Sequence, residues 1–251
     1  MTCLITGASS GLGLAFAHHA ASQGYNLILT GRQTETLEGL KADLSTQFPH
    51  QTFTIISADL STTEGCSTLC DLITTHDISL LIANAEFGLN GCMLDHARKD
   101  IEALMNVNMI ALTRLVHHTA SIMKTKKSGR ILTVASIAGF QPLPSMDVYA
   151  ATKSFVISLS NSLHYHCKKF GITVSCLCPG PTKTAFAERA GLKDSLIFKI
   201  AMDCDEVITA GRTGLMEGKR LIIPGRINKA LSVVSRITPA PWSMKIGDIL
   251  G

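Results

Sequence analysis

Thr2–Ala21 reads TCLITGASSGLGLAFAHHAA, and this stretch decides how the rest of the chain is read. Thr2–Thr6 is an apolar run of strand length. A helical pattern follows, with Leu14, Ala17, Ala20 and Ala21 as its inner face. Between the two lies GASSGLG. Strand, glycine-rich turn and helix make the local context in which a dinucleotide pyrophosphate is held. Gly7 allows a tight turn, Gly11 a close approach of pyrophosphate, and Gly13 tight packing of helix on strand. N–H groups at the helix start face the same place. Ser9 and Ser10 can bond phosphate oxygens, or satisfy the turn's own backbone. The spacing is G-x-x-x-G-x-G rather than G-x-G-x-x-G, so the turn alone is also compatible with a purely structural role.

Working outward, the chain alternates strands and helices. Tyr25–Gly31, Thr52–Ala58 and Ile78–Ala85 read as the next three strands. The last of these is nearly all apolar, as a parallel strand covered on both faces should be. Thr62 or Thr63 is a candidate N-cap for the helix before it. A long helix is expected from about Asp100 to Lys124, then strands at Arg130–Ser136, Ile172–Cys178 and Arg220–Pro224, with a helix near Asp205–Met216. This rhythm predicts an α/β fold: a Rossmann-type doubly wound parallel sheet in a single domain over residues 1–251. No repeat, low-complexity segment or linker interrupts it.

The chemistry concentrates in SIAGFQPLPSMDVYAATK, Ser136–Lys153. Apolar residues at Val148, Val156, Leu159 and Leu163 place Tyr149 and Lys153 on one amphipathic helix, where i and i+4 share a face. A free phenol has a pKa of about 10, too high for easy proton exchange at neutral pH. An adjacent ammonium favours the phenolate, so Lys153 is expected to depress Tyr149 and make it a general acid/base. Ser136 ends a strand, where its hydroxyl can hold a substrate oxygen. Tyr and Lys on an ordinary helix face also fit this spacing.

With both stretches in view, the chain resembles the short-chain dehydrogenase/reductase family over nearly its whole length. TGASSGLG at Thr6–Gly13 is similar to that family's cofactor turn, which includes Leu12. ADL at Ala58–Leu60 resembles its adenine contact through Asp59 and Leu60. ANAE at Ala83–Glu86 stands where the family usually has NNAG, with Asn84 and Ala85 facing the cofactor. PGPTKT at Pro179–Thr184 resembles the segment that closes over the nicotinamide, through Pro179, Gly180, Thr182 and Thr184. Asn108, Ser136, Tyr149 and Lys153 match the family's catalytic tetrad.

The resemblance implies hydride transfer between a nicotinamide and a carbonyl or secondary alcohol carbon. Tyr149 would protonate the developing alkoxide and Ser136 would orient the oxygen. Lys153 would also hold the nicotinamide ribose, and Asn108 would position a water linking Lys153 to solvent. A non-catalytic NADP(H)-binding sensor or assembly protein on the same fold is the alternative, although mere binding does not need all four residues. The family is also expected to form homodimers or homotetramers.

Cofactor choice turns on the end of the second strand. An acidic residue there would repel a 2′-phosphate; the chain has Gly31 and Arg32. A guanidinium suits a phosphate dianion, so the expected cofactor is NADP(H). Glu86, where the family usually has Gly, leaves two readings open. Its carboxylate turns to solvent or a nearby cation, or it lies near the nicotinamide ribose and disfavours the anionic form of Tyr149.

The substrate pocket is expected around Phe140–Pro144 and under a lid at 182–202, where Phe186, Leu192, Leu196, Ile197 and Phe198 favour an apolar or ketoacyl-like carbonyl. The extension 225–251 contains an amphipathic segment, Ile227–Ile237. It reads as packing against the core or a sister subunit, with shallow peripheral contact at a membrane surface the other reading.

Composition is compatible with one large domain: 251 residues, 46% hydrophobic, net charge +4. No apolar run is long enough to span a bilayer, and a strand from residue 2 leaves no room for a signal peptide. The basic KTKKSGR at Lys124–Arg130 reads as a solvated loop, so no nucleic-acid partner is expected. The eight cysteines lack a C-x-x-C pair and read as packing thiols of a cytoplasmic protein. The nine histidines are scattered, His164 and His166 on a polar helix face, and no metal site is expected.

Overall fold

Side-chain alternation along the strands builds two cores, one on each face of a single sheet. On β1 (Thr2–Thr6), Leu4 points into one core and Ile5 into the other. The strand sequences are accordingly mostly apolar rather than strictly alternating. The computed structural model describes residues 1–190, 201–239, 242 and 244. The expected lid residues Leu192, Leu196, Ile197 and Phe198, and most of the chain after Thr238, lie outside the described residues.

The strands that follow are β2 (Asn26–Gly31), β3 (Phe53–Ser57), β4 (Ile78–Ala83), β5 (Gly129–Val134), β6 (Ile172–Leu177) and β7 (Leu221–Ile222). They form one parallel sheet in the order β3-β2-β1-β4-β5-β6-β7. The chain winds outward from β1 to β3, then crosses to β4 on the other side of β1. That reversal opens a crevice at the carboxyl ends of β1 and β4, where ligands bind in such sheets. One core holds Leu4, Leu81, Ile131 and Val174 against α3 (Thr63–Ile73), α5 (Leu112–Lys126) and α6 (Asp147–Cys167). The other holds Ile5, Leu29, Ile82 and Leu132 against α1 (Gly11–Ser22), α2 (Thr34–Gln47) and α8 (Cys204–Met216). The expected doubly wound fold is therefore the observed one.

Local differences from expectation have physical reasons. In α1, Ala17, Ala20 and Ala21 are buried as expected, but Phe16 is buried where Leu14 is only partly covered. Thr62 is the N-cap of α3, its hydroxyl accepting from Gly65 N at 3.0 Å. The expected long helix runs as α4 (Arg98–Met105), a π turn at Asn106–Ala111, and α5. No proline or glycine marks this widening, and such insertions gather at functional sites. Lys124 and Lys126 belong to the last turn of α5, which Lys127 ends in the left-handed conformation (φ 51°), and β5 begins at Gly129, so only Lys127 and Ser128 of that basic stretch are loop. The last described strand is just two residues long and, among the described residues, pairs only with β6. It is a sheet edge, and Pro224 has no N–H to extend it. His164 lies with Nδ1 2.7 Å from the carbonyl oxygen of Val174, rather than on a free polar face.

All eight cysteines are free thiols. Among the described residues no helix is long and apolar enough to cross a membrane, and no group of three or more His, Cys, Asp or Glu is placed to hold a metal. The helix α7 (Phe186–Arg189) leads to the undescribed stretch. The amphipathic segment forms α9 (Arg226–Ile237), one side against the turn at Ile137–Phe140, with the Arg236 guanidinium 4.2 Å from the Phe140 ring centre. Its other side leaves Ile227, Val233 and Ile237 exposed.

Candidate active site

The crevice is built first by the glycine turn. Gly7 (φ 67°) and Gly11 (φ 55°) adopt the left-handed conformation that other residues resist. Gly13 is needed for space: a Cβ there would sit 2.1 Å from the carbonyl oxygen of Gly7 and 2.7 Å from Asn84 Nδ2. Thr6 and Asn84 fasten the ends of β1 and β4 together. The Thr6 hydroxyl accepts from the backbone N–H of Asn84 (2.9 Å) and of Ala85 (2.8 Å), and Asn84 Nδ2 donates to Thr6 O at 3.0 Å. Asn84 thus spends its side chain on the turn. The first turn of α1 has no acidic residue and no side-chain cap, so its N–H end suits an anion.

At the far end of the crevice, Arg32 follows β2 and faces Asp59 after β3. Burial pushes the Asp59 carboxyl up. Hydrogen bonds from Ser61 N (2.9 Å) and Ser61 Oγ (2.8 Å), with the Arg32 charge, outweigh it and hold Asp59 below the usual range.

The reacting end is set by α6. Tyr149 and Lys153 are 5% and 1% exposed. Lys153 Nζ donates to Val134 O at 3.1 Å and lies 5.5 Å from the Tyr149 ring centre. It also forms an ion pair with the Glu86 carboxylate, a contact of charges rather than an aligned hydrogen bond. Both readings of Glu86 therefore meet at one place: the cation it turns to is the site's own lysine. Ser136 caps the Ile137–Phe140 turn, its Oγ accepting from Ala138 N at 3.1 Å.

One expectation needs correction. Lys153 does not depress Tyr149: the phenol lies well above its ordinary pKa, first because burial penalises the phenolate and next because the Glu86 charge opposes it; a hydrogen bond to Ser136 works the other way, and one from the phenol to the Glu86 carboxylate again favours the neutral form. Glu86 answers the lysine's charge before the phenol can benefit from it. The Asn108 side chain is tied to the protein on three sides. Its Oδ1 accepts from Phe87 N (3.2 Å), and its Nδ2 donates to Phe87 O (3.0 Å) and Thr152 Oγ1 (3.2 Å). Asn108 pins the segment after β4, Glu86 included, to α6.

The roof comes from the loop after β6. Gly180 is packed against α9, where a Cβ would fall 2.4 Å from Asn228 Oδ1. Thr182 Oγ1 donates to Gly180 O (2.9 Å), and Thr184 Oγ1 accepts from Phe186 N (3.2 Å). The Phe186 ring centre is 5.5 Å from that of Tyr149. The resulting cavity, about 350 Å³, is lined by every expected site residue except Gly13, Asn108 and Lys153, which support it from behind. Sequence reading missed the Glu86–Lys153 pair and the wall that α9 supplies through Leu231, Val234 and Thr238. The periodicity of α9 was visible, but not the surface it meets.

The family model for short chain dehydrogenase matches residues 1–194. The chain belongs to the short-chain dehydrogenase/reductase family. This dehydrogenase/reductase is 34% identical over 180 residues to a very-long-chain 3-oxoacyl-CoA reductase-like protein of Arabidopsis thaliana, covering 70% of this chain and 58% of that protein. It is 32% identical over 188 residues to a 3-oxoacyl-(acyl-carrier-protein) reductase of Rickettsia bellii, covering 75% of each. A solved short-chain dehydrogenase from Sphingobium yanoikuyae, in complex with NADPH, superposes with a TM-score of 0.84 at 29% identity, covering 95% of this chain and 96% of that one. Oxidoreductase chemistry with a nicotinamide cofactor is thus the frame for this site.

Proposed function

We propose that the chain is an NADP(H)-dependent reductase of an apolar ketone, aldehyde or 3-oxoacyl compound. The observation that carries this reading is a neutral, buried phenol at Tyr149 that faces, beside Ser136, a cavity walled by Phe87, Leu143, Met146, Phe186 and Leu231. Apolar walls favour an uncharged or lipid-like carbonyl. Two relatives carry 3-oxoacyl reductase names, which agrees with it.

The cofactor fits the residues present: Gly7 and Gly11 form the cradle, the start of α1 takes the pyrophosphate, and Arg32 takes the 2′-phosphate. Bound NADPH would supply the hydride. Tyr149 gives its proton to the carbonyl oxygen as charge develops there, and regains one from solvent. Ser136 orients that oxygen. Lys153 and Asn108 hold the floor of the site in place. We also infer a homodimer or homotetramer in a reducing, cytoplasmic setting; Met105 and Ile110, exposed along the long helix, support the first, and eight free thiols the second.

The test is a panel of aliphatic, aromatic and 3-oxoacyl carbonyls offered with NADPH and with NADH, following loss of reduced-nicotinamide absorbance. Turnover of apolar carbonyls with NADPH is expected. Activity confined to charged substrates or to NADH would sink the reading.

A further inference from the structure

Glu86 does not belong to the machinery that the reductase reading needs, yet it sits at its centre. It follows β4 at the switch point of the sheet, held there by Asn108 through Phe87. Its side chain, 19% exposed, lines the cavity and reaches the ammonium of Lys153, itself 1% exposed. An ammonium so buried interacts strongly with whatever charge stands next to it.

We propose that Glu86 is a positioning residue that takes up the charge of Lys153 and keeps Tyr149 a proton donor, so that the chain reduces carbonyls readily and oxidises alcohols poorly near neutral pH. The inference rests on the reductase reading above. Reduction consumes the phenol's proton, which passes to the new alcohol oxygen. Oxidation needs the reverse: the alcohol proton must pass to a phenolate. A carboxylate beside the pair leaves the first step available and raises the cost of preparing the second.

The groups facing Tyr149 are few. Lys153 lies on its own helix, and Glu86 and Ser136 come from the ends of β4 and β5. Cys178 directly follows β6, its Sγ 3.7 Å from that of Cys176, and the Arg236 charge on α9 acts on Cys178. Burial holds Cys178 in its neutral form. A change at Glu86 leaves all of these in place, so a shift in the phenol's titration reports the carboxylate itself.

The experiment compares the wild type with Glu86→Gln, each beside its own Tyr149→Phe counterpart. Three tyrosines are present, and the paired difference in phenolate ultraviolet absorbance isolates Tyr149. Expected is a Tyr149 titration at least about one pH unit lower in Glu86→Gln, because the carboxylate is gone and the freed ammonium favours the phenolate. The alkaline limb of NADP⁺-dependent alcohol oxidation should move down with it, raising oxidation at a fixed pH below the limb about tenfold per unit. If Glu86→Gln fails to fold, Glu86→Gly is measured in its place. An unmoved titration, or one that moves upward, would overturn the role given to Glu86. Absence of carbonyl reduction with any nicotinamide would instead overturn the reductase reading, and the absorbance titration would still decide Glu86.

Discussion

Asn108→Ala distinguishes a residue that holds a water from one that holds the protein together. The side chain is 1% exposed and makes three hydrogen bonds, two to the backbone of Phe87 and one to Thr152. Each is worth about 0.5–1.5 kcal/mol net, so the joint loss of three should cost about 1.5–4.5 kcal/mol. Thr152 keeps its bond to Tyr149 O at 2.7 Å, which favours the lower half of that range. For a chain of this size, 1 kcal/mol moves Tm by about 2–4 °C, so that lower half, about 1.5–3 kcal/mol, predicts a fall of about 3–12 °C. Scanning calorimetry or thermal circular dichroism reads it directly. Because Phe87 belongs to the segment that lines the cavity with Asn84 and Ala85, cofactor affinity should weaken together with stability. A variant with wild-type Tm and reduced turnover would refute this reasoning and return Asn108 to the water-holding role.

Tyr149→Phe keeps the ring and its contact with Phe186, so steady-state turnover should fall about 10²–10⁴-fold while NADPH fluorescence titration shows binding retained; near-wild-type turnover would rule out the acid. Arg32→Ala should weaken NADPH by about 1.5–3 kcal/mol in calorimetric titration and leave NADH nearly unchanged, and equal losses would show that Arg32 does not read the 2′-phosphate. Gly13→Ala should destabilise the fold by about 1–3 kcal/mol or more in chemical denaturation, since its Cβ has backbone at 2.1 Å, and an unchanged midpoint would contradict the packing described. The Asp59 carboxyl is depressed in the folded state, so its contribution is present above the unfolded pKa and lost as pH falls through the folded value. Asp59→Asn should therefore flatten the acid limb of Tm against pH below about 4, and an unaltered limb would show that Asp59 contributes nothing there.

Much of this molecule is local, and local features are written in order along the chain. Thr2–Ala21 specifies strand, turn and helix because each of its residues answers to neighbours a few positions away: apolar runs to burial, Gly7 and Gly11 to a left-handed backbone. The same holds for β4, for the cap at Thr62, and for Tyr149 and Lys153 one helical turn apart. What the tertiary structure decided lies between segments far apart in sequence. Glu86 and Lys153 are 67 positions apart, and nothing in either segment says that the carboxylate ends on that ammonium rather than in water. The π turn around Asn108 was hidden for a related reason: no residue that disrupts helices marks it, and the bonds Asn108 makes there reach Phe87 and Thr152, far away in sequence. The outer wall from α9 was equally out of reach: an amphipathic pattern announces that one side is covered, while the surface that covers it is chosen by the packing of the whole. The direction of the Tyr149 shift follows from those same long-range contacts, because a pKa answers to every charge and every ångström of burial around it, wherever along the chain they come from.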